Sequence, residues 1–276
     1  MTAISVYNGS AELTFDAKAH AYFASIEGRP PIPVDGVTSI IKRAMGMSPA
    51  IGQWMANSAI DAIKKGFLDH YAETQELMEV TEFLSLCDGS KTAYKRISKE
   101  ATDIGSAVHA YAEEYLRSLQ SPNVEEPDIP ADEKVANGCL AVQTWVNSSH
   151  VIPVFLERLV FSQEHWYAGT MDVLAHVDDE LCVVDFKTSK PFRNAWKGPY
   201  TEMVLQLAAY ALAIEEEFPS KKITTGWIVR LDKETGECDP HKVELTDERD
   251  GAKVAWLRTR AHEDAISKLE KKWKRN

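Results

Sequence analysis

The sequence predicts an α/β (α+β) protein in which a mixed central β-sheet is flanked by helices. Three strand-like apolar runs follow one another between 152 and 187, separated by short turns, and two more strand-like runs lie at 224–245. Apolar residues recur at helical spacing over much of the chain before residue 148, around 200–217 and at the C-terminal end. Buried strands interspersed with such helices favour a single sheet covered by helices.

The first 100 residues are expected to form an N-terminal β-hairpin followed by a helical cap or arch. The apolar runs at 13–15 and 22–26 flank a polar turn, which predicts two paired strands. Beyond them the spacing of apolar residues predicts helices, and Gly66 is expected to end the second one. The predicted helices cover 38–45, 51–65, 69–86 and 91–118.

Residues 101–276 are expected to hold the sheet and a long C-terminal helix. The proline-rich stretch 122–130 is interpreted as a solvated connection rather than a domain linker, so the chain is expected to be one compact unit. The predicted elements are a helix at 132–147, strands at 154–161, 167–177 and 181–187, a helix at 200–217, and strands at 225–231 and 242–245.

Composition narrows the class of protein. Of the 276 residues 44% are hydrophobic and 26% are charged, which excludes a disordered or fibrous chain. The 31 basic and 42 acidic residues give a net charge of −11, so contact with nucleic acid requires local basic patches. The four cysteines form no C-x-x-C motif, so neither a zinc site nor an iron–sulfur cluster is expected. With no leader-like N-terminus and no apolar run of about 18–20 residues, the expected location is the cytoplasm, in a bacterial or phage-infected host cell.

The most informative stretch joins a G-T-M-D segment at 169–172 to a D-F-K segment at 185–187. Asp185 and Lys187 are two residues apart on one strand, so their side chains emerge on the same face. Carboxylate oxygens suit Mg²⁺ or Mn²⁺, and a nearby ammonium group suits a phosphate or an activated water. D-x-K alone is a weak signal, because Asp16-Ala17-Lys18 matches it as well.

Two helical segments add polar pairs that share a helix face. His109 and Glu113 are four residues apart, as are Gln206 and Tyr210 on an otherwise apolar helix. Each pair on its own is also typical of polar residues with satisfied partners in a protein core. The combination with the two acidic segments therefore carries the argument.

The order G-S-x-x-H at 105–109, G-T-x-D at 169–172, D-x-K at 185–187 and Q-x-x-x-Y at 206–210 resembles the PD-(D/E)XK nuclease superfamily. The resemblance is to its RecB-like exonuclease branch, which includes phage-type and mitochondrial genome maintenance exonucleases. It implies a restriction-endonuclease-like core. The last 60 or so residues carry no motif that matches the family.

The resemblance also implies roles for individual residues. Asp172 and Asp185 would hold a divalent ion with the backbone carbonyl of Phe186, and His109 would be a further ligand or would lie just behind the ligands. Lys187 would orient the attacking water and offset the charge that builds on the scissile phosphate. The implied cofactor is Mg²⁺, with Mn²⁺ as a substitute and without an iron–sulfur cluster.

Further residues are expected to support this site or to contact DNA. Two roles stay open for Glu113: it is either a ligand of a second ion or an exposed acid on a helix. Basic and aromatic side chains after the D-x-K segment would contact phosphates and stack on unpaired bases, and lysines spaced along one helix would follow the DNA backbone. The full set of supporting or DNA-binding residues is Glu113, Gln206, Tyr210, Thr188, Lys190, Arg193, Trp196 and Lys95.

The function expected from these residues and this resemblance is metal-dependent exonucleolytic hydrolysis of DNA in recombination, repair or replication. The expected partner is DNA that is single-stranded or has a free end, with a single-strand annealing or binding protein as a further partner and no membrane. Three alternatives stay open: a structure-specific endonuclease of the same fold, a non-catalytic DNA- or protein-binding module, and an unrelated metal-dependent hydrolase.

Overall fold

The computed structural model describes residues 1–47, 49–121, 123–192 and 198–273. Internal contacts divide the chain into two units, one made of Met1–Ala44 with the chain from Ala107 onward, the other of Met45–Ser106. The first 44 residues therefore group with the larger unit, whereas the sequence pattern placed them with the helices before residue 100. No described helix combines the length and apolar character needed to cross a membrane.

The larger unit is built on a mixed sheet that has nine strands among the described residues. Along the sheet the order is β1-β2-β3-β4-β6-β7-β8-β9, and β5 pairs with the other edge of β6. The β4–β6 and β7–β8 pairs are parallel and the others antiparallel. The strands are β1 Thr2–Val6, β2 Ala11–Asp16, β3 Ala21–Ile26, β4 Ile32–Gly36, β5 Ile152–Ser162, β6 Tyr167–Val177, β7 Glu180–Thr188, β8 Thr225–Leu231 and β9 Cys238–Glu244.

The N-terminal strands extend this sheet. The predicted hairpin is confirmed as β2 and β3, in which Phe15 lies opposite Tyr22. The chain then continues into β4, where Asp35 pairs with Tyr167 in parallel. This long-range pairing explains why the first 44 residues pack with the larger unit instead of belonging to a separate cap.

In the larger unit, helices pack against the sheet and brace its strands. Asp132 caps α5, because its carboxylate accepts a hydrogen bond of 3.0 Å from the amide of Val135. Buried alanines line α6, so this helix packs closely on the sheet. Counting both units, the helices are α1 Val37–Met45, α2 Pro49–Thr74, α3 Val80–Ser90, α4 Ala93–Gln120, α5 Glu133–Ser148, α6 Thr201–Glu217 and α7 Ala252–Trp273, of which α2 and α3 belong to the smaller unit.

Buried aromatic rings fix the two central strands in place. Tyr167 of β6 packs edge-on against Trp256 of α7, with ring centroids 5.0 Å apart. Phe186 of β7 packs edge-on against Trp145 of α5 at 5.8 Å. All four rings are almost completely buried, and truncating such a side chain typically costs about 3–5 kcal/mol. Strands β6 and β7 therefore form a rigid platform for the side chains they carry.

The smaller unit is helical, and two predictions made for it are wrong. Gly66 does not end a helix, because α2 continues to Thr74. Its role is in packing: a Cβ atom at Gly66 would lie 2.6 Å from Leu86 Cδ1 on α3, so the close approach of the helices requires glycine. The helix predicted over 69–86 is interrupted at 75–79, between α2 and α3.

Candidate metal-binding and catalytic site

The two acids predicted at the centre of the site lie where β6 and β7 separate. The last residue pair between these strands is Val173 opposite Val184. Asp172 and Asp185 are the next residues on their strands, so the register brings them to the same place. On this edge of β6, β4 pairs only as far as Ala168, and no described strand pairs with 169–172. The acids therefore face an opening in the sheet.

Asp172 is held from two sides. Its Oδ2 atom accepts a hydrogen bond of 3.0 Å from the backbone amide of Phe186 and lies 3.3 Å from Nδ1 of His109. Burial and the neighbouring Asp185 raise the pKa of Asp172 to about 6, although His109, Lys187 and the Phe186 amide act in the opposite direction. The site thus concentrates negative charge that a cation would stabilise.

Asp185 and Lys187 form a buried ion pair. The ammonium nitrogen of Lys187 lies 2.5 Å from Asp185 Oδ2, and Asp185 is only 2% exposed. The other carboxylate oxygen, Oδ1, accepts no hydrogen bond from the part of the chain that the structure describes. Burial disfavours the charged form of Lys187, but Asp185 and Asp172 outweigh that effect and raise its pKa. Lys187 is therefore a cation near neutral pH, next to an acceptor atom without a partner.

The predicted Q-x-x-x-Y pair holds this lysine. Lys187 Nζ donates a hydrogen bond of 3.3 Å to Gln206 Oε1, and Gln206 Nε2 donates one of 3.0 Å to the Tyr210 hydroxyl. Burial raises the pKa of Tyr210 well above its usual value, so the hydroxyl stays neutral. A Cβ atom at Gly169 would lie 2.5 Å from Tyr210 Cε1, which explains why the G-T-x-D segment begins with glycine.

Glu157 is a further acid at this site, and the sequence analysis did not predict it. On β5 its neighbours Leu156 and Arg158 pair with Val173 and Met171, so Glu157 lies across from Asp172. Burial raises the pKa of Glu157 to about 8, and Asp172, Glu113 and Asp185 contribute in the same direction. Its backbone has φ +44°, a left-handed conformation that is costly outside glycine and that clusters at functional sites. Its one signal in the sequence is that it is an acid inside an apolar strand.

Three side chains are placed to share a cation. One ligand atom from each of His109, Glu157 and Asp172 can be chosen so that all lie within 4.8 Å of one another. Carboxylate oxygens with a single imidazole fit a hard divalent ion such as Mg²⁺ or Mn²⁺. The unpartnered Oδ1 of the adjacent Asp185 is one more oxygen donor that lacks a hydrogen bond. The donor set therefore fits a divalent metal.

Other predicted residues lie around this centre or away from it. Glu113 forms an ion pair with Arg117 one helical turn further on. Thr188 is half-buried at the end of β7, and Lys190 is exposed just beyond it. Arg193 and Trp196 lie outside the described residues, so their DNA contacts stay predictions.

The predicted lysine track is partly neutralised. Lys95 is exposed near the start of α4, in the smaller unit. The other two lysines of the track are paired with acids: Lys91 with Asp88 at 2.6 Å and Lys99 with Asp103 at 2.7 Å. Lys95 alone of the three forms no ion pair with a described residue.

The sheet, with its acids and lysine at the opening between strands, is the fold of a restriction-endonuclease-like nuclease. The chain belongs to the PD-(D/E)XK nuclease superfamily, whose family model matches residues 83–273. This confirms the family and the fold class predicted from the sequence. Nucleases of this superfamily use divalent metal ions.

Individual proteins show more distant similarity. Over 117 residues, 41% of this chain, the sequence is 32% identical to mitochondrial genome maintenance exonuclease 1 of Xenopus tropicalis, and the match spans 30% of that protein. Among solved structures, LHK-Exo in complex with dAMP gives a TM-score of 0.38 at 11% identity, covering 88% of this chain and 94% of that one. The alkaline exonuclease LHK-Exo of Laribacter hongkongensis gives 0.32 at 14%, covering 61% and 92%.

Proposed function

We propose that this protein is a metal-dependent exonuclease that hydrolyses phosphodiester bonds of DNA, with Mg²⁺ as its ion and Mn²⁺ as a substitute. One observation carries the proposal: the ammonium group of Lys187 lies 2.5 Å from Asp185 beside a cluster of His109, Glu157 and Asp172. Hydrolysis of a phosphodiester needs a bound cation, a positioned water and a positive charge near the phosphate, and this arrangement offers groups for each.

The acids and the histidine have the binding role. His109, Glu157, Asp172 and Asp185 would hold the ion, together with the carbonyl oxygen of Phe186. When bound, the ion supplies a polarised phosphate oxygen and a more acidic water. The pKa values of Glu157 and Asp172, raised by burial and by the neighbouring acids, support this role, because a bound cation would favour the charged form of both carboxylates.

Lys187 has the positioning and electrostatic role. Its ammonium group would donate a hydrogen bond to the attacking water and stabilise the negative charge that develops on the phosphate. Gln206 restricts the direction in which Lys187 can point, and Tyr210 restricts Gln206 through the second hydrogen bond. These two residues therefore act through Lys187.

The exonuclease mode and the DNA substrate are supported by the comparisons with related proteins rather than by the geometry of the site. The Xenopus relative is named an exonuclease, and the family is one of nucleases. We infer that the substrate is a DNA strand with a free end, and that Lys190, Arg193, Trp196 and Lys95 contact it. Recombination, repair and replication all generate such ends.

An end-labelled linear single strand and a covalently closed circular single strand would test the proposal. Each is incubated with Mg²⁺, Mn²⁺ or EDTA and with the wild type, Asp185→Ala or Lys187→Ala. Asp178→Ala is the matched control, because this acid lies in an exposed turn outside the site. We expect loss of the linear strand only, dependent on the ion, unchanged in the control and reduced by at least about 100-fold in both site variants.

Other outcomes would overturn the proposal in distinct ways. Cleavage of the circle would identify an endonuclease. Activity in EDTA would exclude the metal-dependent mechanism. A wild type that binds DNA but is inactive with every ion would identify a non-catalytic module.

A further inference from the structure

A groove of about 510 Å³ lies within the smaller unit, between α2 and the junction of α3 with α4. Gly66 and Gly89 line it without contributing side chains. The polar residues along it are Lys65, Asp69, Ser90, Thr92 and Arg96. None of them belongs to the site described above.

The charges in the groove are unbalanced. Lys65 and Asp69 neutralise each other, with Nζ 2.5 Å from Oδ2. Arg96 is exposed and forms no ion pair with any residue in the described ranges. The groove therefore keeps one positive charge, on the guanidinium group, within a chain of net charge −11.

A hydroxyl group without a partner lies along the same groove. Ser90 is only 5% exposed, and across the described chain its hydroxyl forms no hydrogen bond. The Ser90 hydroxyl is not fully enclosed by the protein, so a ligand in the groove that Ser90 lines can accept a hydrogen bond from it. A ligand with several acceptor oxygens and a negative charge would satisfy both Ser90 and Arg96.

We propose that this groove binds a phosphate group of the nucleic-acid strand, with Arg96 as the anchor and Ser90 as a hydrogen-bond donor. The planar guanidinium fork matches two phosphate oxygens, which a single ammonium group cannot do. The inference rests on the proposed function, since it assumes that the protein binds nucleic acid. The proposal assigns the phosphate contact to Arg96 of α4, whereas the lysine spacing in the sequence pointed to the neighbouring face of α4, which carries Lys95.

The salt dependence of DNA binding tests this assignment. A fluorescent 20-nucleotide DNA strand is titrated with the whole 276-residue chain at NaCl concentrations between 50 and 300 mM, in EDTA so that cleavage does not interfere. Each phosphate contact on a single strand contributes about 0.7 to the slope of log affinity against log salt concentration. We expect Arg96→Ala to lower the slope by about 0.7 and Arg96→Lys to keep the slope while binding more weakly. Lys64→Ala is the matched control, because it removes one charge from the same unit at an exposed position outside the groove.

Two results would overturn the proposal. The first is an unchanged slope in Arg96→Ala; if calorimetric uptake of inorganic phosphate then still depends on Arg96, the groove is a site for free phosphate. The second is an equal loss of slope in Arg96→Ala and Lys64→Ala, which would indicate a diffuse electrostatic effect of the whole unit. Because binding is measured without the ion, these failures are distinct from loss of cleavage in Asp185→Ala, which concerns the proposed function.

Discussion

Gly169→Ala should damage the active site without touching any charged residue. The added methyl group would lie 2.5 Å from Tyr210 Cε1, well inside van der Waals contact, and both residues belong to rigid elements. The backbone conformation of Gly169 is accessible to alanine, so the cost comes from overlap alone. Overpacking of this kind costs about 1–3 kcal/mol. At about 2 °C per kcal/mol for a chain of this size, the melting temperature should fall by about 2–6 °C.

The same substitution should lower the rate of DNA cleavage. Displacing the Tyr210 ring removes the hydrogen bond that orients Gln206, and Gln206 in turn orients Lys187. We expect kcat to fall by about tenfold or more, since a hydrogen bond to a charged group contributes about 1.5–3 kcal/mol.

A double-mutant cycle separates this cause from general destabilisation. Thermal unfolding and single-turnover cleavage are measured for Gly169→Ala, Tyr210→Ala and the double variant. Gly52→Ala is the control, since no atom lies within 4 Å of the position its Cβ would occupy. If overlap with the ring is the cause, Gly169→Ala should cost less than about 0.5 kcal/mol once Tyr210 is alanine. An unchanged cost in that background would refute the reasoning.

Three further substitutions have defined outcomes. Without metal, burial favours the protonated form of Glu157 and raises its pKa from 4.5 to about 8, so the free energy of unfolding should fall as the pH rises through that range. Thermal unfolding in EDTA should therefore depend less on pH in Glu157→Gln than in the wild type. Gln206→Leu should lower kcat by about tenfold or more with little change in melting temperature, and an unchanged kcat would exclude a role in orienting Lys187. Glu263→Ala should cost about 1.5–3 kcal/mol in urea unfolding, because it removes the nearer of two carboxylates from the buried Arg260, which lies 2.8 Å from Glu263 and 3.7 Å from Asp35. A loss below about 0.5 kcal/mol would contradict this.

The central strands were predictable because their signal is local. The runs that became β6 and β7 are apolar, short and bounded by turns, and the predicted bounds agree with the structure to within one residue. The spacing of Asp172 and Asp185 also follows from one hairpin. The local pattern was therefore sufficient to bring the two acids together where the paired parts of these strands end.

Long-range contacts explain what the sequence analysis missed. Glu157 reaches the site only through the register of β5 on β6, and an isolated acid in a strand carries no motif. Gly66 was interpreted as a helix end, but glycine is needed at this position because Leu86 packs directly against it. The parallel pairing of Asp35 with Tyr167 joins residues far apart in the chain, so no local pattern indicates it.

Calorimetric titration of Mn²⁺ into the protein tests the central claim most directly, namely that the acids at the opening between β6 and β7 bind a divalent ion. The titration compares the wild type with Asp172→Asn and with a control, Asp178→Asn, in which the acid that is replaced lies in an exposed turn. We predict saturable binding in the wild type, loss of that binding in Asp172→Asn and full retention in Asp178→Asn. Equal binding by all three proteins, or none by the wild type, would contradict the claim.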